Sequence, residues 1–152
     1  MVPPIGDAFP EKIKVNLAKE NFRIGCVLRF FCSIAKKDKW FIYIGNKYDG
    51  QTIALVHINT EINDNVFPTP ELKAEHYFLE KTDERLYLKW DSYVNCSQFM
   101  VKSKEEVFNL LATNPSCHLG ELSADDFKAI KLMIKSSRIL RPAQKKEFGL
   151  FL

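Results

Sequence analysis

The chain of 152 residues lacks the long apolar runs that membrane proteins need. No stretch reaches the ~18 apolar residues that predict a transmembrane helix. The first residues, Met-Val-Pro-Pro-Ile-Gly-Asp, also lack the basic start and apolar stretch of a secretory signal peptide. We therefore expect a cytoplasmic protein with no membrane partner.

Metal-binding and cofactor-binding patterns are missing as well. The four cysteines form no C-x-x-C pair, and the three histidines have no spacing typical of metal ligands. The motifs of phosphate-binding loops, dinucleotide-binding folds, zinc proteases and serine hydrolases do not occur. We interpret the cysteines as reduced thiols, and His57, His76 and His118 as ordinary structural or surface residues. The sequence predicts no metal and no cofactor.

The basic residues are unevenly distributed, although the formal net charge is only +3. Residues 127–146 contain no acidic residue and seven basic ones: Lys128, Lys131, Lys135, Arg138, Arg141, Lys145 and Lys146. Such a cluster can hold phosphates. For the lysines of the predicted helix we favour the alternative, a solvated face that complements the helix dipole. The role of residues 138–146 stays open.

Composition and length predict one globular domain. The hydrophobic fraction is 46% and the charged fraction 27%, both ordinary values for such domains. We divide residues 1–152 into an N-terminal extension (1–22), a barrel (24–100), helices (103–137) and a tail (138–152). Residues 10–22 predict a short helix with Ile13 and Leu17 facing inward. The apolar end of the tail is expected to dock on its own domain or on a partner.

Closely spaced apolar runs indicate β-strands over residues 24–34, 39–44, 52–58, 76–80 and 85–90. In the last run, alternation places Leu86, Leu88 and Trp90 on one side. Such a series of short strands predicts an antiparallel sheet that curls into a barrel, which removes its edges. Two capping-box pairs predict the starts of the helices that follow: Ser103 with Glu106, and Ser123 with Asp126.

Two segments are candidate site material. The first is His57-Ile58-Asn59-Thr60, where polar groups end an apolar strand; the alternative is that Asn59 and Thr60 simply begin a long turn. The second is Lys89-Trp90-Asp91, in which alternation places the cation and the carboxylate on one strand face. That pair is either an exposed ion pair or a charge stabiliser beside a general base.

Over residues 24–140, the order of these features resembles the PemK/MazF group of toxin endoribonucleases. Gly25-Cys26-Val27-Leu28 is similar to the family's opening strand, and residues 36–44 to the loop and strand that usually begins Arg-Pro. Residues 53–60 resemble a central strand that ends in Thr. Residues 88–94 resemble the strand that carries an Arg-x-Asp element, and residues 120–130 the closing turn and helix.

The resemblance implies an α+β fold: a small curved antiparallel SH3-like β-barrel with one or two C-terminal helices packed on it. It implies a homodimer that cleaves single-stranded RNA without metal, through the ribose 2′-OH, and is neutralised by an antitoxin protein. By position, the expected catalytic residues are Asp91 as base, Lys89 as cationic stabiliser and Thr60 as a hydrogen-bonding group. The expected substrate-binding residues are Lys37, Lys39, Asn59 and Arg138. Trp40, Tyr43 and Tyr93 are expected either to stack on bases or to be buried.

The chain departs from the family pattern at both cationic elements. Lys39-Trp40 replaces Arg-Pro, and Lys89-Trp90-Asp91 replaces Arg-x-Asp. Lysine does not provide the bidentate fork with which arginine holds a phosphate. Two other functions therefore stay open: a non-catalytic binding module for a protein or nucleic acid, and a component of a phage or mobile-element assembly.

Overall fold

The computed structural model describes residues 9–151, which form an antiparallel sheet with helices on both faces. The strands are β1 (Cys26–Cys32), β2 (Lys37–Asn46), β3 (Thr52–Asn59), β4 (His76–Leu79), β5 (Ser92–Asn95), β6 (Met100–Ser103) and β7 (His118–Glu121). The helices are α1 (Glu11–Asn21), α2 (Pro70–Lys73), α3 (Lys104–Thr113), α4 (Ala124–Lys135) and α5 (Pro142–Glu147), with a 3₁₀ turn at Pro115–Cys117.

The sheet curls into a half-barrel. Its strand order is β4-β5-β3-β2-β1-β7, and β6 pairs with β3 beside β5. The N-terminal half of β3 pairs with β6, and its C-terminal end pairs with β5. The pairing of β2 with β3 shifts register between Tyr43 and Gly45, an irregularity that bends strands. This architecture confirms the predicted α+β class and is consistent with a small SH3-like barrel.

Each face of the sheet carries its own apolar cluster. Along β3, Ala54, Val56 and Ile58 belong to a cluster with residues of α4 and the tail. Ile53 and Leu55 alternate with them and belong to a cluster with residues of α1 and α3. We call these sides the α4 face and the α1/α3 face. Because both faces are covered, the central strands are apolar almost throughout.

The predicted helix starts are confirmed. Ser103 Oγ accepts a hydrogen bond from the backbone N of Glu106 at 3.3 Å, which caps α3. Ser123 Oγ accepts one from the backbone N of Asp126 at 3.1 Å, which caps α4. The N-terminal helix is also present, but Ile13 is 45% exposed and Ala18 is the buried residue. The inward orientation predicted for Ile13 was therefore wrong.

The apolar tail docks on its own domain. Phe148 and Leu150 are buried in the cluster of the α4 face, while Phe151 is 53% exposed. The Lys145 Nζ donates hydrogen bonds to the carbonyl oxygens of Lys135 and Ser137, at 2.9 and 2.8 Å. These bonds satisfy carbonyls at the end of α4, so Lys145 is a capping group and not a free phosphate ligand.

The strand predicted for residues 85–90 was wrong, because this segment is a pair of turns. The backbone N of Arg85 donates to the carbonyl of Thr82, and that of Leu88 donates to the carbonyl of Arg85. Leu86 is therefore 81% exposed while Leu88 is 4% exposed, so they do not share a face. The strand that pairs with β4 is β5, which begins only at Ser92.

Candidate functional site

A groove with a volume of about 650 Å³ lies at one end of the α1/α3 face. Its floor is polar because alternation on β2 and β3 continues past the apolar cluster. Lys39 follows that face beyond Phe41, and His57 and Asn59 follow it beyond Leu55. The remaining lining comes from the end of β1, the start of β2 and the turn between them, from the loop after β3, from the end of β5, and from the segment before and within β6: Cys32, Ile34, Ala35, Lys37, Thr60, Glu61, Asn63, Val66, Phe67, Asn95, Gln98, Phe99, Met100 and Val101.

Lys39 is the half-buried cation of the groove. Its Nζ donates a hydrogen bond to Asn59 Oδ1 on the neighbouring strand. Burial lowers the pKa of the ammonium, and the nearby charge of Lys37 lowers it further. Among residues 9–151, Glu61 is the one residue with a carboxylate that lines the groove, and it is exposed. The groove is therefore a binding surface suited to anions.

Histidine is the side chain whose ordinary pKa lies nearest to neutral pH, and His57 lines the groove. It is partly buried and pairs in register with Phe41, with the two ring centroids 4.8 Å apart. Burial lowers its pKa, and the positive charge of Lys39 lowers it further. The imidazole is therefore neutral at pH 7, with one ring nitrogen able to accept a proton.

The rim of the groove carries exposed apolar side chains. Ile34 is 87% exposed, Val66 60% and Val101 53%. The aromatic rings of Phe67 and Phe99 also contribute to the lining. The groove thus combines cations, amides and apolar surface, a combination that suits a ligand with both charged groups and flat apolar groups.

The structure brings together four of the predicted site residues. Lys37, Lys39, Asn59 and Thr60 all line the groove. They meet because the pairing of Trp40 with Ile58 places the polar ends of β2 and β3 side by side. The predicted set thus contains a compact group at the start of β2 and the end of β3.

The other three predicted residues lie outside the groove. Lys89 lines a smaller pocket against Trp40 and Ile58, which belong to the α4 face. Asp91 Oδ1 accepts a hydrogen bond from the backbone N of Lys81 at 2.7 Å. This bond stabilises the loop between β4 and β5.

Arg138 is exposed in the segment between α4 and α5, where its backbone N donates to Glu75 Oε2 at 3.3 Å. The shared strand face predicted for Lys89 and Asp91 does not exist, since both precede β5.

A partly buried ion pair positions the segment that carries Lys89. Arg85 donates two hydrogen bonds to the Asp126 carboxylate, from Nε to Oδ2 at 2.9 Å and from Nη2 to Oδ1 at 2.8 Å. Tyr77 Oη donates a third to Oδ1 at 3.0 Å. Burial by itself raises the pKa of Asp126, but the bonds from Arg85 and Tyr77 outweigh it and hold the pKa below its usual value. The pair joins the turns of residues 82–90 to the first turn of α4.

No protein-family model matches the chain, and no curated protein matches it significantly.

Among residues 9–151, no helix has the length and apolar composition required to cross a bilayer. The same range contains no cluster of three or more His, Cys, Asp or Glu side chains suited to a metal ion.

Proposed function

We propose that the protein binds single-stranded RNA in the groove on the α1/α3 face. The observation that carries the proposal is the half-buried Lys39 ammonium beside Lys37 in this groove. Among residues 9–151, one carboxylate lines the groove, that of Glu61, and it is exposed. Lysines that line a groove attract a phosphate backbone. The features of the sequence occur in an order that resembles that of RNA-cleaving toxins, and this resemblance supports RNA as the polyanion.

The rest of the lining suits unpaired bases. Amide groups such as those of Asn59 and Gln98 can hydrogen-bond base edges, and the apolar rim offers surface for base faces. These edges and faces are accessible only when the strand is not stacked in a duplex. Single-stranded RNA is therefore the expected ligand.

Replacing Lys39 with alanine is expected to weaken the binding of a single-stranded RNA oligonucleotide about tenfold, because a charge-assisted contact to phosphate is lost. Fluorescence anisotropy over a series of salt concentrations measures the effect. The slope of log K against log salt should become shallower by about 0.7, the value for one phosphate contact on a single strand.

The matched control is Lys128→Ala, which removes an exposed cation from α4. It should change the affinity less than twofold. An equal loss of RNA affinity in both variants would indicate that the basic segment of residues 127–146 contributes to the binding surface. Full affinity in the Lys39 variant would contradict the groove proposal, as would a wild-type protein that binds no RNA.

A second candidate function is metal-independent cleavage of the bound strand, and the observation that favours it is His57. The neutral imidazole accepts the proton of the ribose 2′-OH, and the 2′-oxygen attacks the adjacent phosphorus. The bond from phosphorus to the 5′-oxygen breaks, and the Lys39 ammonium donates a proton to that oxygen after stabilising the negative charge. The products are a 2′,3′-cyclic phosphate and a free 5′-hydroxyl. His57 thus takes the role that the resemblance gave to Asp91.

Substituting His57 with asparagine is expected to slow RNA cleavage in EDTA about 100-fold while RNA affinity changes little, because the general base is lost. For the wild type, kcat/KM should be highest between the folded pKa of His57 and that of Lys39, and it should fall on the acid side as the imidazole becomes protonated. Since burial and Lys39 lower that pKa, the fall should come below the ordinary value of about 6.5.

Asp91→Asn is the matched control, because Asp91 contacts the backbone of Lys81 outside the groove. It should retain cleavage. If Asp91→Asn abolishes cleavage in a folded protein while His57→Asn retains it, the base is Asp91 and the proposed role of His57 is wrong. If the wild type binds RNA but leaves it intact, the function is binding alone.

A further inference from the structure

A small apolar pocket on the α4 face contains both tryptophans of the chain. Trp40 comes from β2 and is partly buried, and Trp90 comes from the turns before β5 and is 68% exposed. Ile58 and Leu88 complete the apolar part of the pocket, and Lys89 contributes a cation. Neither the fold nor the proposed groove explains why a large aromatic ring is presented at this place.

The pocket has room for one planar ring. Its volume is about 170 Å³, and an apolar cavity of about 150 Å³ binds one benzene molecule. The segment that carries Trp90 is held in place, since Arg85 is bonded to Asp126 and Ser92 Oγ donates to the carbonyl oxygen of Trp90 at 2.8 Å. The ring is thus displayed from a fixed backbone, which lowers the entropic cost of binding.

The pocket and the groove lie on opposite faces of the sheet but share two lining residues, Asn59 and Thr60, at the end of β3. A strand that contacts Lys39 in the groove can reach the pocket by passing around this end of the sheet. The ammonium of Lys89 is then available to the phosphate next to whichever group enters the pocket.

We propose that the pocket binds one unpaired nucleobase of the strand that occupies the groove, stacked on Trp90, with the adjacent phosphate at Lys89. The inference rests on the proposed RNA-binding function and adds a specific subsite to it. A base is the part of an RNA strand that is planar and apolar on its faces, and the pocket has room for a single-ring base or for one ring of a double-ring base. Stacking on an indole binds such a face with little dependence on sequence.

The test compares an RNA oligonucleotide with an abasic ribose-phosphate oligomer of the same length. Trp90→Ala should weaken RNA binding about tenfold, leave binding of the abasic oligomer unchanged and leave the salt slope unchanged. In the Trp40→Phe variant Trp90 is the single indole, so its fluorescence should be quenched by RNA and not by the abasic oligomer. Leu86→Ala, at an 81% exposed position in the same turns but outside the pocket, is the matched control and should bind RNA normally.

The outcomes separate this inference from the function on which it rests. If Lys39→Ala weakens RNA binding but Trp90→Ala does not, the groove stands and the base pocket is wrong. Equal affinity of the wild type for RNA and abasic oligomer also overturns the pocket. A wild type that binds neither oligomer overturns both proposals.

Discussion

Replacing Arg85 with alanine is expected to lower the free energy of unfolding by about 3 kcal/mol, because it leaves the Asp126 carboxylate buried without its partner. Asp126 is only 4% exposed, and two of its hydrogen bonds come from the guanidinium. The position of Asp126 in the first turn of α4 offsets a small part of the loss, since a helix N-terminus favours negative charge. Urea unfolding followed by circular dichroism measures the effect.

A double variant separates the ion pair from the packing of the side chains. Arg85→Met with Asp126→Leu replaces both charges with apolar groups and should recover most of the lost stability, because no charge is then left unpaired. If Arg85→Ala costs less than about 0.5 kcal/mol, within the range of an ordinary surface substitution, the pair does not hold the turns of residues 82–90.

The same pair gives the wild type a component of stability that depends on pH. The folded pKa of Asp126 lies below the unfolded value of about 3.9. The contribution is therefore fully present above the unfolded value and is lost as the pH falls through the folded value. On acidification below pH ~4, the wild type should lose more stability than the double variant.

Removing the two buried side chains of the tail is expected to cost at least about 5 kcal/mol, since core Phe→Ala costs about 3–5 and Leu→Ala about 2–5. Phe148 and Leu150 fill the α4 face, and the Phe148 ring meets that of Phe99 edge-on with centroids 5.6 Å apart. A Cβ at Gly45 would lie 3.3 Å from the Phe148 carbonyl oxygen, so the tail lies close against β2.

Phe148→Ala with Leu150→Ala should therefore leave a protein of ordinary stability largely unfolded at room temperature. Thermal unfolding and the dispersion of the amide NMR spectrum check this expectation. Phe151→Ala is the control, because that ring is 53% exposed and its removal should matter little. A double variant that unfolds within a few degrees of the wild type would show that the tail is not part of the core.

The fold class could be predicted because local signals and tertiary structure agree at most elements. Ser103 and Ser123 cap the helices that their spacing predicted. The failure at residues 85–90 shows the opposite case. The alternation of apolar Leu86 and Leu88 with the residues between them fits a strand. The ion pair of Arg85 with Asp126, which joins residues 41 apart, holds two turns instead. No local pattern indicates such a contact.

The candidate site was predictable only in part, for a related reason. Lys39 and Asn59 meet because β2 and β3 pair in register, and both residues were expected at the site from their positions in the resemblance. Lys89 and Asp91 were placed together by a strand that is absent. His57 was taken as an ordinary structural or surface residue because the histidines have no spacing typical of metal ligands, although the segment of residues 57–60 was named as a candidate site. Its signal was the alternation on β3, which gives it the same face as Leu55 and Asn59.

The pairing of β1 with β7 has a consequence for how the chain folds. Cys26 pairs with Glu121, so one side of an apolar strand stays unprotected until the distant C-terminal third of the chain arrives. Contacts of such separation slow folding, because a large loop must close before they form. Partly folded molecules therefore expose a hydrogen-bonding edge of aliphatic and aromatic residues to one another, and self-association competes with completion of the sheet.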